Sequence, residues 1–371
     1  MSRHLTLSLE KFIDSISWDY FERYFDKKNA KLPSSGWEFI NADAMKHYLS
    51  NPDKKEEAGI IQEDFQRIND IGQEGMGIIV RTCEKYSISI PNNENPLQTS
   101  MGLFLDHTIA FEFAWSRFLL YDTSARLSIY PLPKLNKIEI GPKKIQGFKN
   151  DVQQWFVEMA KGDQCTVDSY EDRGETVILI RHGSYIRAVP FWNGDFVSVN
   201  SYRPALEDVL VYDPTKSQLN VKATLAKDRE TYLRLFASDI LGDEDIADEA
   251  IKDEVFTLAP LQEGKFNFSG DGPITKIELV KVRMKFYGIS NPVVELKADD
   301  VTTAFQYDLG SLTLNSGTLV LARFRFHLHY PGKREIKVTF EIDPPSRTDL
   351  AQKKHAQVIE NYLLQQGVKL H

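Results

Sequence analysis

The sequence predicts an α+β protein in three parts: a helical amino-terminal domain over residues 1–121, a small α/β middle domain over 122–250, and an antiparallel β domain over 251–371 closed by a helix. Two observations carry this. Apolar residues recur at helical spacing before residue 121, in short strand-like runs with helical interruptions up to residue 250, and in near-strict alternation beyond it. The 371 residues also exceed the roughly 250 at which a single core stops growing, so more than one domain is expected.

In the first part, LEKFIDSISWDYFERYF puts Phe12, Ile16, Tyr20 and Tyr24 on one face of a predicted helix, and EDFQRINDIGQEGM does the same with Phe65, Ile68 and Ile71. KLPSSGW and SNPDKKEE between them have loop composition. Residues 101–121, MGLFLDHTIAFEFAWSRFLLY, are the most apolar window. Asp106, His107, Glu112 and Arg117 would each be costly at bilayer depth, so a buried helix of a soluble protein is predicted, with His107 a satisfied core residue.

The middle part alternates ARLSIYPL, TVILIRH, YIRAVPFW, DFVSVNSY, DVLVYD and QLNVKAT with the helix-like FKNDVQQWFVEMAKG. It closes with DRETYLRLFASDILGDEDIADEAI, whose Tyr232, Leu235, Phe236, Ile240 and Leu241 form an apolar stripe, placing a boundary near 245–255. Beyond it, KIELVKVRMKFY, PVVELKA, SLTLNSGTLVLARFRFHLHY and EIKVTFEI read as antiparallel strands, with a turn at Asn315-Ser316-Gly317. A last helix is predicted from a cap at Thr348, through Val358, Ile359, Tyr362 and Leu363, to a stop at Gly367.

Composition excludes several classes. The charged fraction of 26% and aromatic fraction of 11% belong to a folded chain rather than a disordered one. Cys83 and Cys165 lie far apart without a CxxC or Cys-His spacing, so neither a disulfide framework nor a zinc finger is expected and a cytoplasmic setting follows. Glu10, Lys11 and Asp14 interrupt the amino terminus before any apolar stretch, which argues against a secretory signal. No P-loop, dinucleotide fingerprint, G-x-S-x-G or kinase set is present. LGDEDIADEAIKDE lacks the glycine of a calcium loop. No cofactor, metal or membrane attachment is expected.

Three patterns carry chemistry. Arg181-His182-Gly183 follows an apolar run, as in a histidine phosphatase, but sits mid-chain with another strand-like run close behind. A hairpin turn at Gly183-Ser184 is therefore the better reading. Glu295-x-Lys297 ends one strand and Glu278 lies on the strand before it, the elements of a metal-dependent nuclease of the restriction-endonuclease type, in which two acids bind Mg²⁺ and a lysine helps activate water. E-x-K also arises whenever charges alternate on a wet strand face. LARFRFHLHY puts Phe324, Phe326 and Leu328 on one face and Arg323, Arg325, His327 and His329 on the other. Residues 274–340 carry ten Lys or Arg against six Asp or Glu, while 1–122 carry thirteen against nineteen. That asymmetry permits a weak contact between the basic stripe and nucleic acid, within a chain of net charge −8.

One stretch, EDVLVYDPTKSQLNVKATLAKDRETYLRLFASDILGDED at 207–245, resembles a family of uncharacterised bacterial proteins: a strand ending in Tyr212-Asp213-Pro214, a second strand, then a helix with Glu-x-Tyr-x-x-x-Phe and a terminal Gly-Asp-Glu-Asp. IIQEDFQRINDI, GLFLDHTIAFEFA and NPVVELKADD look similar as well. The resemblance implies a setting beside restriction-modification-like and other phage-defence genes; it supplies no catalytic residues. The expectation is a non-catalytic accessory or sensor protein of an anti-phage system acting through a protein partner, with the nuclease as the alternative.

Overall fold

The computed structural model describes residues 7–28, 42–49, 55–73, 76–90, 95–121, 126–134, 140–172, 174–193, 195–288, 290–307 and 312–370. The loop expected at KLPSSGW, and the start of the one at SNPDKKEE, lie outside them. Residues 2–122 and 123–371 form two compact units.

The first unit is helical, with α1 (Leu9–Asp14), α2 (Trp18–Lys27), α3 (Ala42–Leu49), α4 (Lys55–Gln73), α5 (Met76–Tyr86), α6 (Pro96–Asp106) and α7 (Thr108–Tyr121). Phe65, Ile68 and Ile71 are fully buried along α4, as their spacing predicts. Phe12, Phe21, Tyr24, Phe25 and Phe65 meet ring against ring at 5.1–6.4 Å between centroids. The single helix expected over Phe12–Tyr24 is two, because Ser15 and Ser17 flank a break and Ser17 takes extended backbone ahead of α2. Serine competes for backbone hydrogen bonds and favours such ends. The 101–121 window likewise breaks at His107, between α6 and α7. His107 is exposed there, which corrects its assignment to the core. Arg67 satisfies Glu112 through two hydrogen bonds of 2.8 and 2.9 Å, which lets an acid sit in that apolar window. Among the described residues, no helix is long and apolar enough to cross a membrane.

The second unit is built on one sheet. Its elements run β1 (Leu127–Pro131), α8 (Pro142–Glu158), β2 (Cys165–Asp172), β3 (Glu175–Gly183), β4 (Arg187–Asn193), β5 (Phe196–Tyr202), β6 (Ala205–Asp213), β7 (Gln218–Lys222), α9 (Ala226–Leu235), a π-helical turn (Phe236–Leu241) and α10 (Asp245–Lys252). They continue through α11 (Ala259–Gln262), β8 (Ile274–Lys285), β9 (Val293–Lys297), α12 (Val301–Tyr307), β10 (Thr318–Leu328), β11 (Ile336–Asp343), β12 (Arg347–Thr348) and α13 (Ala356–Gln365). Among the described residues, ten strands form a sheet in the order β2-β3-β6-β7-β1-β12-β11-β10-β8-β9. All its pairings are antiparallel, so the molecule is α+β and the middle region carries no parallel sheet.

Strands from 122–250 and from 251–371 meet in this sheet, through β1 between β7 and β12. Within this one unit lie two apolar cores. One gathers Tyr130, α8, α9, the π turn and α10, and the other gathers Ile129 and residues 255–368. Successive strand residues point to opposite faces, so the two cores lie on opposite faces of the sheet. α8 to α10 pack into the first core, and α11 to α13 into the second.

Two further expectations shift. Thr348 is part of β12 rather than a cap, and the last helix begins at Ala356. Gly367 does end it: its φ of 69° lets Val368 N–H reach back to the Leu363 carbonyl at 2.9 Å. Asp213 makes the expected strand-end turn, its Oδ1 accepting from Thr215 N–H and Lys216 N–H at 2.9 and 3.1 Å.

Candidate functional site

The open face of the carboxyl-terminal half of the sheet is built by register. Arg323 lies between Glu341 and Lys281, Arg325 between Thr339 and Glu278, and His327 between Lys337 and Lys276. Phe324, Phe326 and Leu328 alternate with them into the core and are fully buried. The predicted alternation is therefore present, but the stripe is not four free cations. Arg323 Nε donates to Glu341 at 2.8 Å and Arg325 to Glu278 at 3.0 Å. His327 is buried between Glu278 (3.2 Å) and Glu335 (3.0 Å), and only His329, just past the end of β10, is exposed. Lys281 shares Glu341, and Arg126 and Arg347 hold Asp343.

The three residues of the nuclease reading fall in this lattice without converging. Glu278 accepts from Lys276 as well as Arg325, while Glu295, on β9, accepts from Arg283 at 2.7 Å and lies 2.9 Å from Lys297. Glu295 pairs across to Arg283, five residues along β8 from Glu278, a separation along the strand of roughly 17 Å at ~3.3 Å per residue. Burial pushes the Glu278 carboxyl up, but Lys276, His327 and Arg325 together outweigh it and hold it at about 2. Lys297 and Arg283 likewise hold Glu295 at about 2. These acids are the anchors of ion pairs. Among the described residues, no group of three or more His, Cys, Asp or Glu is placed to hold a metal ion.

His182 ends up in a polar knot beneath α8 and α9. Its ring stacks on Phe156 with centroids 4.0 Å apart, and its side chain has no exposed surface. Nδ1 donates to the Gly183 carbonyl at 2.7 Å, and Nε2 lies within hydrogen-bond distance of Asp208 at 3.0 Å. Tyr232 donates to the same Asp208 oxygen at 2.8 Å; burial, then that carboxylate, push its hydroxyl well above the ordinary tyrosine value. Lys161 closes the knot, paired with Asp228 at 2.6 Å and buried with it. Every polar atom named here has its partner inside the protein, which makes the knot a packing device. The expected Gly183-Ser184 hairpin is absent, because β3 pairs with β2 and β6 rather than with β4. Gly183 is needed for another reason: a Cβ there would come within 2.5 Å of the Lys161 carbonyl oxygen.

After Ser184 the chain leaves the sheet. Among the described residues, β4 and β5 pair only with each other, as a two-stranded arm inserted between β3 and β6. Its base is fixed: Arg203 donates to the carbonyls of Ala160 (2.9 Å) and Ser184 (2.7 Å), and Ser184 N–H donates to the Pro204 carbonyl at 2.8 Å. Its strands are not buried. Trp192 is 70% exposed, Val199 65%, Phe196 61% and Val197 55%, with Tyr185, Ile186, Val189, Phe191 and Tyr202 also exposed. These large apolar side chains stand in water on a ribbon whose base is tethered. Both arm strands were legible as strand-like runs, and Asn193-Gly194-Asp195 between them is a hairpin signal that would have paired them with each other. No protein-family model and no curated protein matches the chain.

Proposed function

We propose that the chain is a non-catalytic interaction protein whose working surface is the β4–β5 arm. The observation that supports this reading is the exposure of Trp192, Phe196, Val197 and Val199 on a ribbon whose base is held by Arg203. Burying such side chains against a partner is favourable by ~25 cal/mol per Å², and aromatic residues are the usual anchors of interfaces. The setting we propose is a cytoplasmic accessory or sensor role in a bacterial anti-phage system, which rests on the resemblance of residues 207–245 alone. A weak contact with nucleic acid at Arg323, Arg325 and His329 belongs to the same proposal; its support is the surplus of basic residues over 274–340.

The test is made in cells that encode the protein. Tagged wild type and a Val197→Lys/Val199→Lys variant are expressed at native level, isolated, and challenged with phage. The reading expects a partner that the wild type retains and the variant loses, together with loss of phage protection in the variant. Equal partners and equal protection from both proteins would overturn it. Cleavage of DNA with Mg²⁺ or Mn²⁺ that Glu295→Ala abolishes would replace it with the nuclease reading.

A further inference from the structure

We infer that the partner of the arm is a second copy of this chain, docked through one face of the ribbon. This rests on the interaction reading above and specifies its occupant. The β4–β5 register pairs Ala188 with Ser201, Pro190 with Val199 and Trp192 with Val197, which places these six side chains on one face. All six are exposed. None is charged, in a chain where 26% of residues are. Arg187 belongs to the other face, opposite Tyr202.

An uncharged face suits its own copy. In a two-fold contact each residue meets the same patch on its partner, so any charge on it would face a like charge nearby. Here none does, although the whole chain carries −8. A partner with a charged surface would instead desolvate its charges against Trp192 and the valines without compensation. The size of the face meets the minimum for a dimer. With Trp192, Val197 and Val199 55–70% exposed, and ~250 Å² for a whole tryptophan, the face offers on the order of 500 Å² per copy. Two copies then bury ~1,000 Å² in total, the lower limit for a specific interface. The association is a concentration-dependent dimer. It docks by face and leaves both outer edges of the ribbon open, and β4 tolerates Pro190 because it is an edge strand.

Sedimentation velocity of the purified full chain over ~1–100 µM, the weak end of the affinities interfaces show, tests the inference. Wild type is expected to shift from monomer towards dimer, Val199→Lys to remain monomeric with an unchanged circular dichroism spectrum, and Phe191→Lys, on the opposite face, to dimerise as wild type does. A mixture of Val199→Lys and Val199→Glu copies is expected to associate where neither does alone, since a two-fold contact brings the two substituted positions near each other. A wild type that stays monomeric throughout, or a dimer indifferent to Val199→Lys, or one lost equally in Phe191→Lys, overturns it. A monomeric wild type whose different cellular partner is lost with Val197→Lys/Val199→Lys overturns the second copy and leaves the interaction reading standing. A monomer whose cellular partners ignore those substitutions removes both.

Discussion

Ile129 and Tyr130 are consecutive in β1 and belong to different cores: Ile129 packs with the carboxyl-terminal cluster, and Tyr130 with the cluster under α8 and α9. β1 is thus the strand at which the two cores meet, one on each of its faces. Its two edges are taken by β7 and β12. Residues 123–371 are therefore expected to unfold as one cooperative body despite having two cores. Ile129→Ala should cost ~2–4 kcal/mol, and hydrogen exchange should show the slowest amides of β7 and β11 losing protection together. Loss of protection in β11 alone would refute the coupling.

A pH experiment reads the ion-pair face. Glu278 and Glu295 are held at about 2, against an ordinary 4.5. A carboxyl depressed in the folded state favours folding above its unfolded value and loses that contribution as pH falls through the folded one. Stability supplied by these pairs should be complete above about pH 5 and decline from there to about pH 2. Carboxyl carbon NMR titration should place both midpoints near 2; midpoints above 4 would contradict the geometry.

For His182, the expectation is structural. His182→Ala removes a stacked, doubly bonded ring and leaves Asp208 with Tyr232 alone, a loss of about 2–4 kcal/mol by analogy with other buried truncations. Urea unfolding measures it. Hydrolysis of phosphate esters should stand at background in wild type and variant alike, and an activity that the mutation removes would revive the phosphatase reading. Gly183→Ala should also destabilise, by collision with the Lys161 carbonyl.

Because Arg323 and Arg325 already neutralise Glu341 and Glu278, each can release few counterions on meeting a phosphate backbone. Arg323→Ala/Arg325→Ala should change the slope of log affinity against log salt by about one or less. Fluorescence anisotropy with labelled DNA or RNA checks this. A slope change of two or more would show that both arginines abandon their carboxylates for phosphate.

The parts legible in the sequence are those governed by neighbours along the chain. β10 reads correctly because one of its faces is buried and the other open, so Phe324 and Phe326 alternate with Arg323 and Arg325. Tyr232, Phe236 and Ile240 read correctly as one buried stripe, although the turn from Phe236 to Leu241 is π-helical. The breaks at Ser15–Ser17 and His107 were missed because apolar spacing continues across them. The junction of the two cores at β1 was missed because its pairing with Arg347 and Thr348 leaves no trace near residue 127. The burial of His327 was hidden too: Glu335 reaches it from outside the strand.

The same seam sets a clock for biosynthesis. Arg126 and Asp343, which pair beside it, are 217 residues apart, or about 10–40 s of synthesis at ~5–20 residues per second. Until β12 emerges, β1 has a partner on one edge only and presents the other as an open ladder, with Ile129 lacking its core. An unpaired edge of that kind recruits other chains. A nascent chain of this protein is therefore most vulnerable to aggregation late in translation, and a stop codon placed just before Arg347 should yield insoluble product even though both sides of the sheet are almost complete.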